Sequence, residues 1–217
     1  MFSKDIVIFI PSILEAEKIF NIQGFQKNNH FYSSTYNDHT VIITGVGKTN
    51  SAITSALFHS QYSTHSSILT GICGAYEESG LNIGDIVCIE KDYLVDECNY
   101  NGENITTLNE KGFLKDNEYC GIFKYVNDFK SVTSNTVSLI ANEKQLVKKY
   151  MDKTKALVEN MEGAAFGIAA NRFNVHPYQI RAVSNYASVQ ENQKWDIKKA
   201  CKNLKEAVDF FIKSLVQ

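Results

Sequence analysis

The segment Gln179-Ile180-Arg181-Ala182-Val183-Ser184-Asn185 reads as a buried β-strand over Gln179–Val183 that ends on polar side chains. Arg181, Ser184 and Asn185 lie on a run that begins in the core. Buried polar groups need partners, so a binding role for this strand end outweighs a purely structural one. Five further β-branched runs, at Ile6–Ile10, Val41–Thr44, Ser67–Thr70, Ile86–Ile89 and Val132–Val137, read as buried strands. Helical stretches lie between several of them: Thr49–Tyr62, the amphipathic Glu143–Met151 and the small-residue-rich Gly163–Phe173. The clearest helix is Lys198–Val216, with Ala200, Leu204, Ala207, Val208, Phe211, Ile212 and Leu215 on one face and lysines opposite. Strands alternating with helices predict an α/β fold around a mixed or largely parallel sheet. In such folds ligands gather beyond the carboxyl ends of strands, so the junctions after each run carry the functional reading.

Composition narrows the classes. The 217 residues carry 22 basic and 24 acidic side chains, a net charge of -2. This balance lacks the single-sign field that a nucleic-acid or anionic-membrane binder needs. Arginine occurs only at Arg172 and Arg181, which leaves few planar forks for gripping phosphate. Cys73, Cys88, Cys98, Cys120 and Cys201 are odd in number and show no C-x-x-C spacing, so buried reduced thiols are expected rather than a zinc site or a disulfide framework. The apolar run Ile6–Ile10 is short and broken at Pro11, unlike a signal peptide or a membrane span. With prolines only at 11 and 177 and no linker or repeat, one domain spanning 1–217 in a reducing cytoplasm is expected.

Several junctions are chemically suggestive. Thr44-Gly45-Val46-Gly47-Lys48-Thr49 imitates a nucleotide loop, yet Ile42 and Asn50 stand where the phosphate-loop and dinucleotide patterns require glycine. On its own it reads as a tight turn. Thr70-Gly71-Ile72-Cys73-Gly74-Ala75-Tyr76 is a second glycine-bearing strand exit, where backbone can approach a flat ligand, with a structural turn equally weighted. Leu81-Asn82-Ile83-Gly84-Asp85-Ile86-Val87 reads as a turn feeding a strand. Glu15 follows the first strand, where a dipole-complementing glutamate is the plainer reading. Glu162, ahead of a small apolar helix, must be paired or bound to ligand hydroxyls. Trp195 is either a helix-entry residue or a pocket wall. The five histidines show no ligand-like spacing, and G-x-S-x-G and H-E-x-x-H are absent, which removes serine-hydrolase and metalloenzyme readings.

Taken in order, the segments at 44–48, 70–76, 83–87, 160–165 and 181–185 resemble the motifs of the nucleoside phosphorylase and nucleosidase superfamily over nearly the whole chain. The resemblance implies a three-layer α/β/α sandwich with a mixed, partly barrel-like sheet, and a cofactor-free enzyme acting on a nucleoside as a homodimer or higher homo-oligomer. Within the superfamily the chain is most similar to the futalosine hydrolase branch, a nucleosidase of menaquinone formation. Three features separate it from the methylthioadenosine/S-adenosylhomocysteine nucleosidases: Asn185 where those have aspartate, the strand Val132-Thr133-Ser134-Asn135-Thr136-Val137, and Trp195-Asp196-Ile197.

The resemblance also assigns roles. Glu15, with Glu17 as the alternative, matches the water-activating glutamate. Glu162 matches the ribose-hydroxyl carboxylate, with Met161 against the sugar. Asn185 matches the base-recognition position, oriented by Arg181 and Ser184. Cys73, Gly74 and the backbone around Val137 and Ser138 line the base pocket, and Trp195 walls it. An amide cannot supply a proton as a carboxylic acid can, which favours a 6-oxopurine whose anion leaves more readily, although an amide also pairs with adenine. Phosphorolysis would need clustered cations, and the placement of the two arginines argues for water as nucleophile. Methylthioadenosine-type nucleosidase, phosphorylase and non-catalytic nucleoside binder stay as alternatives. Lysines or tyrosines between Tyr93 and Tyr125 are candidates for holding the far end of the substrate.

Overall fold

A computed structural model describes residues 6–28, 30–64, 66–140, 143–187 and 195–216. The strands are β1 (Ile6–Ile10), β2 (Gln26–Asn28), β3 (Phe31–Tyr36), β4 (His39–Ile43), β5 (Ser66–Tyr76), β6 (Ile86–Tyr93), β7 (Cys98–Tyr100), β8 (Ile105–Thr107), β9 (Cys120–Ile122), β10 (Lys130–Thr136), β11 (Val158–Asn160) and β12 (Tyr178–Ala187). The helices are α1 (Ile13–Phe20), α2 (Lys48–Gln61), α3 (Asp116–Tyr119), α4 (Lys144–Thr154), α5 (Gly163–Asn171) and α6 (Ile197–Val216).

Ten strands form one mixed sheet in the order β11-β10-β6-β12-β5-β1-β4-β3-β2, with β9 on β6; β7 and β8 form a separate hairpin. Strand β11 also pairs antiparallel with β5, so β5, β12, β6, β10 and β11 close into a ring. The ring replaces the expected barrel character: it involves half the sheet, and β1-β4-β3-β2 extend from it as an open arm.

Both faces of β1 are covered, which is why all five of its residues are buried and apolar. Ile6, Ile8 and Ile10 pack with Ala16 and Ile19 of α1 and with Ala200, Leu204, Val208 and Phe211 of α6. Val7 and Phe9 face the other way, against Phe58 of α2 and Phe166 of α5. These two helix pairs supply the outer layers, and α6 uses the apolar face that its sequence predicts. All five cysteines are free, and four of them are buried. No helix among the described residues is long and apolar enough to cross a membrane.

The six expected strands and four expected helices all form, but β5 runs on to Tyr76 rather than stopping at Thr70. Pairing with β12 on one side and with β1 and then β11 on the other holds its two glycines extended, against their weak strand propensity. The short β2, β7, β8, β9 and β11 carry too few residues for periodicity to reveal them.

Helix α5 begins in a polar network buried among β6, β10, β11 and β12. Asn160 and Gln179 donate to Asp92 Oδ2 at 2.7 and 3.0 Å, and Thr136 donates to Asp92 Oδ1 at 2.8 Å. The backbone N–H groups of Glu162 and Gly163 donate to Asn160 Oδ1, and that of Ala164 to Thr136 Oγ1. The helix start is thus capped by neighbouring strands, and the Glu162 carboxylate is left for other partners. A Cβ on Gly163 would stand 2.0 Å from Asp92 Oδ2 and 2.5 Å from Gln179 Nε2, both fixed in this network. Gly163→Ala is therefore expected to destabilise the fold by about 3 kcal/mol; a wild-type urea midpoint for that variant would refute this account.

Candidate active site

At the carboxyl ends of β1, β5 and β12 lies a cavity of about 250 Å³, bordered by Pro11, Glu15, Val46, Ile72–Gly74, Val137, Ile140, Glu159–Glu162, Ser184, Asn185 and Trp195. Its position follows from the topology, since these strand ends and the β11–α5 junction converge there.

Glu15 is delivered by the first turn of α1. Ser12 caps that helix, accepting from Glu15 N, and its hydroxyl donates to Glu15 Oε2 at 3.0 Å. The Ile72 backbone N–H donates to Oε1 at 3.2 Å. Burial, and secondly the nearby Glu162 charge, push the Glu15 carboxyl above its usual range, opposed by the Ile72 and Ser12 hydrogen bonds and the Arg181 charge. Glu17 is exposed on the same helix and does not line the cavity, so of the two glutamates only Glu15 is placed there.

Glu162 accepts from Gly47 N through Oε1 at 3.2 Å and from Arg181 Nη1 through Oε2 at 3.3 Å. The 44–49 segment is thus a turn that aims a backbone donor at the Glu162 carboxylate, and Val46 lines the cavity beside it. Arg181 is fully buried behind the wall, also donating to Ile72 O and Asn160 Oδ1, each at 3.2 Å. Glycine at 71 makes room for this packing: a Cβ there would meet Arg181 Nη1 at 2.8 Å and Glu15 Oε1 at 3.0 Å.

Asn185 is placed by a β-bulge. Val183 pairs with Cys73 and Asn185 with Gly74, leaving Ser184 as the extra residue. The turn at 81–87 holds the strand just before the bulge, through Gly84 N donating to Val183 O and Val183 N donating to Asp85 O. The Ser184 hydroxyl lies 2.8 Å from Asn185 Oδ1 and 3.1 Å from Cys73 O, and Asn185 Nδ2 donates to Tyr186 O. The amide is oriented, with one acceptor site and one N–H left for a ligand. Asp196 N donates to Ser184 O, which folds the chain back and sets Trp195 on the rim, where it is 47% exposed. Burial raises the Cys73 thiol to about 12, so it lines the cavity as a neutral group.

Met161, Gly74 and Val137 border the cavity, as the sequence motifs lead one to expect. Ser138 does not: it is exposed, and its N–H is engaged by Asp96 Oδ2 at 2.7 Å. None of residues 93–125 lines the cavity; Tyr93 packs on Tyr119 instead. Sequence reasoning missed Glu159 and Asn160. Glu159 sits on a three-residue strand with no periodicity to mark it, and the polar or acidic positions 159, 160 and 162 flanking Met161 were the one signal available.

Comparison with known proteins places the fold and the family. Futalosine hydrolase of Thermus thermophilus is 28% identical over 174 residues, covering 76% of this chain and 77% of that one. A 5′-methylthioadenosine/S-adenosylhomocysteine nucleosidase of Staphylococcus aureus is 24% identical over 206 residues, 85% of this chain and 86% of its own. Among solved structures, futalosine hydrolase of Helicobacter pylori superposes with a TM-score of 0.76 at 18% identity, over 98% of this chain and 97% of that one. A nucleosidase of the same organism, with 5′-methylthioadenosine in its active site, gives 0.75 at 17% identity over 99% of both. These likenesses establish the nucleoside phosphorylase and nucleosidase fold. The phosphorylase superfamily profile matches residues 10–213, and the chain belongs to that family.

Proposed function

We propose that this chain is an N-glycosyl hydrolase that cleaves the N-ribosidic bond of futalosine, releasing hypoxanthine and dehypoxanthine futalosine, in the menaquinone-forming route. The observation that carries the choice of base is the oriented Asn185 amide on the base side of the cavity, where an aspartic acid would favour adenine. Its free N–H donates to O6 of the leaving 6-oxopurine anion, and its free acceptor site receives N7–H of the hypoxanthine product once solvent has protonated it.

The two catalytic carboxylates lie at the other end. Cleavage passes through an oxocarbenium-like state at the ribose, which negative charge stabilises. Glu162 binds the ribose hydroxyls with the acceptor sites that Gly47 and Arg181 leave open. Glu15 accepts a proton from water as its oxygen attacks the anomeric carbon; the C–N bond breaks, its electron pair leaves with the purine, and Asn185 steadies the resulting charge. Among the described residues lining the cavity there is no lysine, arginine or histidine. Arg172 lies on the surface near Glu118, and Arg181 is committed to Glu162 and Asn160. This supports water rather than phosphate as the nucleophile. The partly exposed apolar rim of Val46, Ile140 and Trp195 suits the aromatic tail of futalosine. The likeness to the Staphylococcus aureus enzyme supports a methylthioadenosine-type nucleosidase as the second reading.

Incubating the protein with futalosine, aminodeoxyfutalosine, methylthioadenosine and inosine, and identifying the released base, separates the readings. Hypoxanthine from futalosine is expected, and adenine release without hypoxanthine would sink the assignment. Glu15→Gln and Glu162→Gln should each lower turnover by about 100-fold or more while circular dichroism stays unchanged; wild-type rates in either would remove that residue from the mechanism. Glu15 acts as its conjugate base and its pKa is raised, so activity should fall on acidification at a pH above the 4.5 of an ordinary glutamate. A kcat/KM profile that stays flat down to pH 4.5 would contradict this.

A further inference from the structure

The residues that border the cavity fall at two levels along β5. At one end Ile72 N holds Glu15, and Arg181, in register with Gly71, holds Glu162. Two residues further, at Gly74, both neighbouring strands bring a polar side chain into register: Asn185 of β12 on one side and Glu159 of β11 on the other. At about 3.3 Å per residue the step from Ile72 to Gly74 is about 7 Å, comparable with the reach of a purine from its sugar bond to its far edge. Residues opposite one another on adjacent strands face the same way, and both side chains line the cavity. A Cβ on Gly74 would lie 3.4 Å from Asn185 Nδ2, so the space beside Asn185 exists because residue 74 has no side chain.

Glu159 is therefore a base-end carboxylate, set apart from the sugar-end pair. Tyr76, two residues beyond Gly74, hydrogen-bonds to it with its hydroxyl, which itself accepts from Asn135 Nδ2 at 2.9 Å. One donor leaves the carboxyl with acceptor sites for a ligand. Glu159 serves neither the Asp92 network nor the Arg181 cluster, and the hydrolytic steps above do not use it.

Resting on the nucleosidase reading of this site, we propose that Glu159 is a specificity-determining residue that reads the N1 edge of the purine, its carboxylate accepting N1–H of a 6-oxopurine while Asn185 serves O6 and N7. Adenine presents a lone pair at N1, which a carboxylate repels and only the protonated acid can meet as a donor. Burial first, and Asp96 after it, raise the Glu159 pKa to about 7 against the Tyr76 hydrogen bond. The other titratable groups facing it are Cys73 and Tyr76 on β5, Tyr150 on α4 and Asp96 after β6. The thiol and both phenols are pushed upward by burial and stay neutral near pH 7. With the folded pKa near 7, Glu159 is protonated below that pH and donates to adenine. Above it the carboxylate accepts from hypoxanthine, so preference for the 6-oxopurine rises with pH through neutrality.

The test is the dissociation constants of free hypoxanthine and adenine at pH 6 and pH 8 for wild type, Glu159→Gln and Glu159→Val. In the wild type the ratio of adenine to hypoxanthine constants should rise about fivefold or more over that range. In Glu159→Val the ratio should be flat, and hypoxanthine binding at pH 8 should weaken about tenfold. Glu159→Gln, isosteric and without a charge to lose, should also be flat. A pH-dependent ratio that persists in Glu159→Val, undiminished hypoxanthine binding in that variant, or a wild-type ratio that does not change with pH would overturn the proposal. Because free bases are measured, the result is independent of which nucleoside is cleaved, and a failed futalosine assay is scored separately.

Discussion

The site depends on one buried cation. Arg181 is sealed inside the protein on β12, and its guanidinium ties the β5 backbone at Ile72, the β11 residue Asn160 and the Glu162 carboxylate at the head of α5. A buried ion pair is weak evidence of net stability, because desolvation opposes the attraction. Its value here is positional. The planar fork meets three acceptors at 3.2–3.3 Å, which fixes the Glu162 carboxylate at the wall of the cavity.

Around this cation the protein gathers an excess of buried carboxylates. Glu15, Glu162 and Asp92 all lie in the field of Arg181, and a single guanidinium cannot neutralise three. Burial raises the pKa of both Glu15 and Asp92, and for Glu15 the neighbouring Glu162 charge adds to it. For Asp92 the strain is met by three hydrogen bonds from neutral donors, which makes it a structural carboxyl. For Glu15, held by hydrogen bonds from Ile72 and Ser12, it leaves a carboxyl that gives up its proton less readily than a solvated glutamate. The same low arginine content that weakens any claim to phosphate or nucleic-acid binding leaves this one guanidinium with a structural task.

The closed ring of strands completes the arrangement. Strand β11 bridges β10 and β5, and with the residues after it brings Glu159, Asn160, Met161 and Glu162 to the cavity within four consecutive residues. One short segment, tied to strands on both sides, thereby supplies four of the residues that border the cavity. On the opposite wall the bulge at Ser184 does the same for Asn185.

The sequence by itself determined the layering and the ingredients. The all-apolar β1 requires cover on both faces, the one-sided α6 supplies cover on one of them, and the segments at 44–48, 70–76, 83–87, 160–165 and 181–185 stand in the order of the family's motifs. Those features are local, written in periodicity and in consecutive residues. Only the tertiary structure decided which glutamate of α1 enters the cavity, because the two residues from Glu15 to Glu17 turn the helix by about 200°, from the cavity wall to solvent. It alone revealed the bulge that sets Asn185 opposite Gly74, and the ring closure that brings Glu159 to the far side of the same glycine. Register and long-range strand pairing are set by packing between distant segments, so they leave no signature in any single stretch of chain.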